Sequence, residues 1–509
     1  MIPAPSVLVS RPLGAIVLAA GLGTRMRSRR AKVLHELAGR PLVRYPLAAL
    51  AALDPDRVAL VVGHQPDDVR AAAAGAGLRD LRTATQPEQR GTGHAVACAT
   101  EAFRGFTGDV LILYGDVPMI RPATLQALVA CHRAEAADLT LVTMSFADPT
   151  GYGRILRAPD GRVTGIVEER DANQAQRGIT EVNPGLYAVR SEVLFPLLAE
   201  LRPDNAQGEL YLTDLVALAA RAGRRVSTIA ARSPEELAGI NTRAELARME
   251  ATLKLDAVER WMAAGVTFED PATAYVGPDV TIGSDTVIGP NVQLRGRTRI
   301  GSGCRLDGTA YLVDATVGDG AHLLFACVVE GAEIGAEARI GPFARLRPGT
   351  RLAERVHIGN FVETKKAVIG AGTKANHLSY LGDCDVGPDA NIGAGTITCN
   401  YDGSTGKKSR TVIGARVQIG SDSQLVAPVS VGDDAYVGTG TTVRSDVPAG
   451  ALVVNPKTDR HVAGWTARRR ALAAGEASSP AKKPVAARPR SRKRRGSGAR
   501  AVARPRRRR

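Results

Sequence analysis

The sequence predicts an α/β chain of two unlike halves, a doubly wound and mostly parallel sheet followed by a parallel β-helix. Three observations carry this. Residues 14 to about 240 alternate short Val/Ile/Leu runs with Ala-rich stretches long enough for crossover helices. From Val276 the texture changes to aliphatic-glycine pairs with a period of six. The charge is equally uneven: residues 477–509 hold 14 Lys or Arg and no acid, nearly all of the net +16 of a 509-residue chain. The body is therefore close to neutral and the tail holds the charge.

The length suits about three domains of ~150 residues and excludes a disulfide-stapled miniprotein. Hydrophobic residues make up 44% of the chain, yet no apolar run approaches the ~18 residues of a membrane helix. The apolar stretch 16–22 flows into a glycine loop, which fits a buried strand rather than a signal sequence. Cys98, Cys131, Cys304, Cys327, Cys384 and Cys399 form neither a disulfide framework nor a CxxC zinc pair. A cytoplasmic protein with six inert thiols and no membrane span is the expectation.

In chain order, strands are expected at residues 15–19, 57–62, 110–113 and 139–144, giving the doubly wound sheet. A linker helix over 242–265 follows, opened by the capping box of Thr242 and Glu245 and ended by Gly265. Leu246, Met249, Leu253, Ala257 and Trp261 share one face of it, so it should pack on one domain while leading into the next. The pairs then recur at Val276, Ile282, Ile288, Ile300, Ile334, Ile340, Ile358, Ile369, Val386, Ile392, Ile413, Ile419, Val431 and Val437. A helix has no use for that spacing, whereas a β-helix stacks the aliphatics inward and turns at the small residues. The phase breaks between Ile392 and Ile413, so residues 399–410, CNYDGSTGKKSR, should bulge out as a loop where function can sit. The tail 476–509, rich in Ala, Pro and Arg, is expected to be disordered.

Chemistry enters with LAAGLGTRM at residues 18–26, directly after the first strand. Its glycines fit neither a dinucleotide fingerprint nor a Walker A loop. They do allow backbone N–H groups close to a phosphate chain, with Arg25 and Lys32 to stabilise a five-coordinate phosphorus. Alone, such a loop is equally a tight turn. In YGDVP, Asp116 follows a strand to the carboxyl edge of the sheet, where open α/β sheets bind ligands. It reads either as a helix cap or, beside the glycine loop, as a ligand holding Mg²⁺ against a triphosphate.

LAAGLGTRM, KVLH, QRGTGHA, YGDVP, GYGRI, EVNPG, NAQGELYLTD and GINTR occur here in the order of one family. Residues 14–465 resemble the bacterial bifunctional N-acetylglucosamine-1-phosphate uridyltransferases and glucosamine-1-phosphate N-acetyltransferases. The resemblance implies a Rossmann-like nucleotidyltransferase domain at 14–241 and a left-handed β-helix of hexapeptide repeats at 266–465 carrying acetyl transfer. It implies that Leu18, Ala19, Ala20, Gly21, Gln86, Gly91 and Thr92 hold UTP, with Gln86 and the Gly91 backbone on the uracil edge. Lys32 would join Arg25 at the phosphates. Tyr114, Gly115, Gly153, Glu168 and Asn183 would line N-acetylglucosamine 1-phosphate, and Asp116 and Asn241 would bind Mg²⁺. Physics alone would not choose Asn241, which also reads as a helix-entry residue beside Thr242.

In the second half the resemblance implies that Arg347 and Lys365 grip the phosphate of glucosamine 1-phosphate, with Tyr380 and Asn391 beside the sugar. Ala394, Asn400, Tyr401, Ser421 and Thr439 would border acetyl-CoA. His377 is the natural base for the attacking amine, because imidazole titrates near the working pH. Taken singly it is equally a turn histidine, and His322 or His357 could be drafted instead. Three positions depart from the family: Ala31 where proline is frequent, Thr439 where alanine is common, and Pro456 in place of an arginine near the CoA phosphates, with Lys457 or Arg460 left to substitute. The resemblance further implies a homotrimer, and the tail would bind polyanions weakly through counterion release. A single-activity nucleotidyltransferase on a merely structural β-helix, or a nucleic-acid-binding protein recruited through the tail, are the rival readings.

Overall fold

The computed structural model describes residues 11–231, 233–456 and 458–475. The chain divides into two compact units at Val454. The tail 476–509 and Lys457 lie outside the described residues.

Four strands of the sheet, Leu81–Thr85, Arg57–Val62, Leu13–Ala19 and Asp109–Tyr114, lie side by side and parallel. Successive side chains of a strand point to opposite faces. Val17 and Ala19 accordingly enter one core with Leu60, Leu113 and Leu125, while Ile16 and Leu18 enter another with Val61, Val96 and Leu194. Helices therefore cover both faces, as the near-continuous apolar runs require. All four expected strands are present. Between Asp109–Tyr114 and Leu139–Ser145, however, lies Tyr187–Arg190, antiparallel to both. Beyond Leu139–Ser145 come the antiparallel strands Glu181–Asn183, Gly153–Arg157 and Val163–Val167.

The linker helix runs Arg243–Ala263, with Thr242 and Glu245 forming both halves of its capping box. Its face is shared between two cores. Leu246, Met249 and Leu253 pack on Leu37, Leu42 and Ile240 of the sheet domain, whereas Ala257 and Trp261 pack on the β-helix core. Glu250 accepts the Ala38 N–H at 2.7 Å and Arg40 pairs with Asp279, so charge as well as packing joins the two halves.

The second half is a left-handed β-helix whose short strands pair only in parallel. Phe268, Ile288, Leu306, Leu323, Ile340, Ile358, Ala375, Ile392, Ile419 and Val437 stack down one face. Two further faces stack likewise, from Val276 and from Ile282. Where glycine follows an aliphatic, close approach of the coils is the reason. A Cβ on Gly318 would lie 2.6 Å from Ala336 N of the next coil. Buried threonines close the corners, as where Thr286 Oγ1 donates to Gly301 O at 2.8 Å and accepts from Cys304 N at 3.1 Å. All six cysteines are free, and burial pushes the Cys327 thiol up to about 11. The expected bulge is present: Thr398 and Ile413 sit on adjacent faces and stack on Leu425 and Val431, and the chain between them loops out. Asp402 organises that loop, its carboxylate held down to about 2 by the Ser404 and Thr405 hydroxyls.

In the second unit the described residues include one helix, Trp465–Ala473, preceded by Gly464 in the left-handed region. Pro456 and Arg460 belong to this unit. Among the described residues no helix is long and apolar enough to cross a membrane.

The close coil spacing has a measurable consequence. Gly318→Ala forces backbone apart and should cost about 1–3 kcal/mol in denaturant unfolding followed by a β-helix signal, while Gly277→Ala, whose Cβ would meet nothing nearer than Leu294 O at 3.4 Å, should cost less.

Candidate functional site

At the carboxyl edge of the sheet two adjoining cavities share Lys32, Tyr114 and Asp116. The smaller, about 250 Å³, is lined by Leu18, Ala20, Gly21, Gln86, Gly91 and Thr92. The larger, about 440 Å³, is lined by Arg25, Gly153, Glu168, Asn183 and Asn241. Two of the sequence-predicted residues do not line either cavity. Ala19 turns its methyl into the core, and Gly115 is packed against the first strand, its N–H donating to Leu18 O at 2.9 Å. Any part they play is through backbone.

The loop geometry depends on one glycine in particular. Gly23 has φ 62, and a Cβ there would lie 2.6 Å from Lys32 Cβ. Only glycine lets the loop fold over the lysine. The short 3-10 turn Lys32–Leu34 then presents Lys32 Nζ to the Asp116 carboxylate and, at 3.1 Å, to Asn241 Oδ1. Arg25 donates to the same Asn241 oxygen at 2.9 Å. Asp116 arrives on the strand Asp109–Tyr114, and Asn241 arrives just ahead of the linker helix, its own N–H held by Glu245 at 2.6 Å.

Asp116 and Asn241 thus direct two hard oxygens at one point where a cation already sits. That donor set fits Mg²⁺, which takes one or two protein oxygens and completes its shell with phosphate and water. Among the described residues no group of three His, Cys, Asp or Glu gathers to cage a metal.

Glu168 is fixed by the Thr213 hydroxyl at 2.9 Å, and burial raises its pKa. Asn183 donates to the Tyr187 hydroxyl at 2.6 Å and accepts from Gly185 N at 3.0 Å. Burial likewise raises the pKa of the Tyr114 hydroxyl. Gln86 Nε2 donates to Gly91 O at 3.1 Å, which leaves its Oε1 to accept from a ligand. Gln89, Glu209, Thr213 and Glu245 also line the cavities. The first three stand inside quoted or adjoining motif residues, so the motifs held their signal although no physical rule singled them out.

On the β-helix the second set gathers around one corner. His377, Ala394, Ser421 and Thr439 each stand two residues past the stacked Ala375, Ile392, Ile419 and Val437, so they occupy the same corner in successive coils. His377 Nδ1 lies 3.3 Å from Asn360 Oδ1. With that nitrogen donating, Nε2 is left as the base. His322 is instead tied to Asp307 at 2.8 Å, and His357 lies in a ladder between Arg339 and Lys374, its pKa lowered by burial and by those charges. Neither shares the His377 corner.

Tyr380 follows His377 onto the next face, beside Glu363, and Asn391 opens the strand of the next coil. Arg347 pairs with Glu363 at 2.7 Å. Lys365 has Lys408 within hydrogen-bonding reach and Arg347 near it, and these pull its pKa below the usual lysine value. Lys365, Lys408 and Arg347 thus share one neighbourhood, with Arg347 already paired to Glu363 and Asp383 acting on Lys365 in the opposite sense. Asn400 donates to Asp383, and Tyr401 pairs by a bridge with Lys408 across the loop. Asn360 and Lys408 are functional candidates that no sequence pattern flagged individually.

Comparison with known proteins agrees with both halves. Residues 15–222 match the model of the MobA-like NTP transferase domain, 271–369 that of the GMPPB C-terminal domain, and 410–445 that of the bacterial transferase hexapeptide (six repeats). The chain is 49% identical to the bifunctional protein GlmU of Mycolicibacterium gilvum over 470 residues, 91% of this chain and 94% of that one. It is 50% identical to the Sorangium cellulosum protein of the same name, over 90% of this chain and 97% of the other. The Pelobacter propionicus protein is 47% identical over 90% and 98%. With near-complete coverage of both partners at such identity, the chain belongs to the bifunctional GlmU family.

Proposed function

We infer that the chain makes UDP-N-acetylglucosamine, an envelope precursor, at two separate sites. The β-helix transfers an acetyl group from acetyl-CoA to glucosamine 1-phosphate, and the sheet domain then transfers uridylyl from UTP to N-acetylglucosamine 1-phosphate. In this reading residues 14–241 are the uridyltransferase domain, 242–265 the linker and 266–465 the acetyltransferase domain.

The convergence of Lys32, Arg25, Asp116 and Asn241 beside a glycine loop is the observation that supports assigning uridylyl transfer to this site. A phosphate oxygen of the sugar phosphate attacks the α-phosphorus of UTP, and pyrophosphate leaves. Lys32 and Arg25 stabilise the charge that accumulates on the equatorial oxygens, so no covalent intermediate is required. A divalent cation, which we take to be Mg²⁺ held by Asp116 and Asn241, would supply further charge neutralisation at the phosphates. Gln86 and the Gly91 backbone read the uracil edge, while Glu168 and Asn183 accept and donate at the sugar hydroxyls.

For acetyl transfer, Arg347, Lys365 and Lys408 hold the sugar phosphate. The amine attacks the thioester carbonyl, its proton passes to His377 Nε2, and the CoA thiolate leaves. Asn391 and Tyr380 position the sugar. The corner residues Ala394, Ser421 and Thr439, with Asn400 and Tyr401, border the acetyl-CoA. A homotrimer is supported by the exposed ladder Phe325, Phe343, Phe361 and Leu378 on the His377 corner, with ring centroids 5.9 and 5.4 Å apart. An apolar stripe of that size is what a second copy covers. Free cysteines support a cytoplasmic site of action. The tail's polyanion role rests on its charge alone.

A coupled assay with glucosamine 1-phosphate, acetyl-CoA and UTP tests the whole reading. Asp116→Ala should abolish uridylyl transfer and spare acetyl transfer, and equal loss of both in a folded variant would sink the two-site assignment. His377→Ala should slow acetyl transfer by ~10² to 10⁴ and leave uridylyl transfer from supplied N-acetylglucosamine 1-phosphate unchanged. Glu168 adds a pH signature. Because its folded pKa lies above the ordinary carboxylate value, its burial destabilises the fold progressively as pH rises through that interval. Thermal melts should therefore show Glu168→Gln gaining on the unmodified chain as pH rises above the ordinary glutamate value of 4.5.

A further inference from the structure

The turn after the strand Arg57–Val62 touches the phosphate loop at three consecutive residues. At Gly63 a Cβ would lie 2.6 Å from Ala20 O, so glycine alone allows the two loops to meet. His64 Nε2 lies 2.9 Å from Arg29 O. Gln65 Oε1 accepts the Ala31 N–H at 2.6 Å. Gln65 holds a left-handed conformation, φ 52, at the start of the helix Pro66–Ala73, where its own carbonyl accepts from Val69 N at 3.1 Å. The backbone of Gln65 thus belongs to the helix while its side chain reaches across to the loop.

Ala31 is the residue that makes this contact consequential. It is buried, 1% exposed, and immediately precedes Lys32. A buried N–H without an acceptor is costly, and the acceptor here comes from a side chain 34 residues away. Its φ of −54 is the value that a proline ring would impose. The position therefore has two solutions, a proline with no N–H to satisfy or another residue with an acceptor supplied from outside.

We propose that Gln65, supported by His64, is a positioning residue for uridylyl transfer: it clasps the Ala31 amide and so holds Lys32 against Asp116 and Asn241. This rests on the reading of Lys32 as the phosphate-stabilising cation. Gln65 touches no substrate in this scheme. It acts through the loop, so its loss is felt where Lys32 does its work, in the transition state rather than in UTP binding.

The test uses the full-length chain and three variants. In Gln65→Ala, the Ala31 amide should exchange with deuterium about tenfold faster, and uridylyl kcat should fall about tenfold with KM for UTP within about twofold. Acetyl transfer, on the β-helix, should be unchanged and serves as the folding control. Gln65→Glu keeps an acceptor oxygen and should keep kcat. Adding Ala31→Pro to Gln65→Ala removes the orphaned N–H and should restore kcat to within about threefold. Unchanged Ala31 exchange in Gln65→Ala, unchanged kcat, or failure of the proline to restore it would each overturn the proposal. Absence of uridylyl transfer from the unmodified chain would overturn the functional reading instead, and the exchange result would still report on the clasp.

Discussion

Lys32 lies at the meeting point of three elements that are remote in sequence. Its ammonium is mostly buried, and it is held there by the Asp116 carboxylate from the end of a central strand and by the Asn241 amide from the entrance to the linker helix. A charge so placed is expensive unless its partners are fixed. Much of the surrounding structure can be understood as fixing them. Gly23 folds the loop over the lysine, the sheet delivers Asp116, and the capping box that starts the linker helix also holds the Asn241 N–H through Glu245. The helix that joins the two halves thus begins at the Lys32–Asp116–Asn241 cluster of the first and ends packed on the core of the second.

The sequence made the strong periodicities legible and hid whatever lacked one. Buried strands such as Arg57–Val62 stand out because the five residues after Arg57 are all apolar. Tyr187–Arg190 escapes notice because four residues with one polar terminus, wedged antiparallel between two longer strands, owe their place to tertiary pairing rather than to pattern. The β-helix shows the same limit. The aliphatic-glycine pairs disclosed the period, yet Leu294, Leu306, Leu312 and Leu346 are stacked in the same core without a following glycine. Steps of five residues, as from Leu312 to Val317, also slip the strict hexad. Inward stacking constrains the aliphatic. Glycine is needed only where the next coil comes too close for a Cβ.

At the sites, motif resemblance found residues by their neighbours in sequence, and geometry then sorted them. Ala19 and Gly115 stand inside the right motifs but face the sheet and the core, whereas Asn360 and Gln65 stand outside any motif, and Lys408, inside the expected loop 399–410, is not singled out within it. Such residues are invisible in one sequence because their partners are 17 or more positions away. Asn241 is the intermediate case. Its sequence context reads as helix entry, and it is that, yet its side chain is shared by both Lys32 and Arg25.

The two candidate sites differ in their exposure to solvent. The cavities to which we assign the phosphoryl chemistry hold Lys32 and Asp116 nearly out of water, where fixed charges act at low dielectric. The acetyl-transfer corner is open: Tyr401 is 60% exposed, His377 is exposed, and Phe343 and Phe361 stack at the surface beside it. A thioester attacked by an amine in open water loses the electrostatic advantage and the shape selectivity that a covered site provides. A single β-helix with one flat corner cannot enclose acetyl-CoA. A neighbouring copy laid against that corner would cover the aromatic ladder and wall the site in one act, which is why we tie the trimer to catalysis rather than to stability alone.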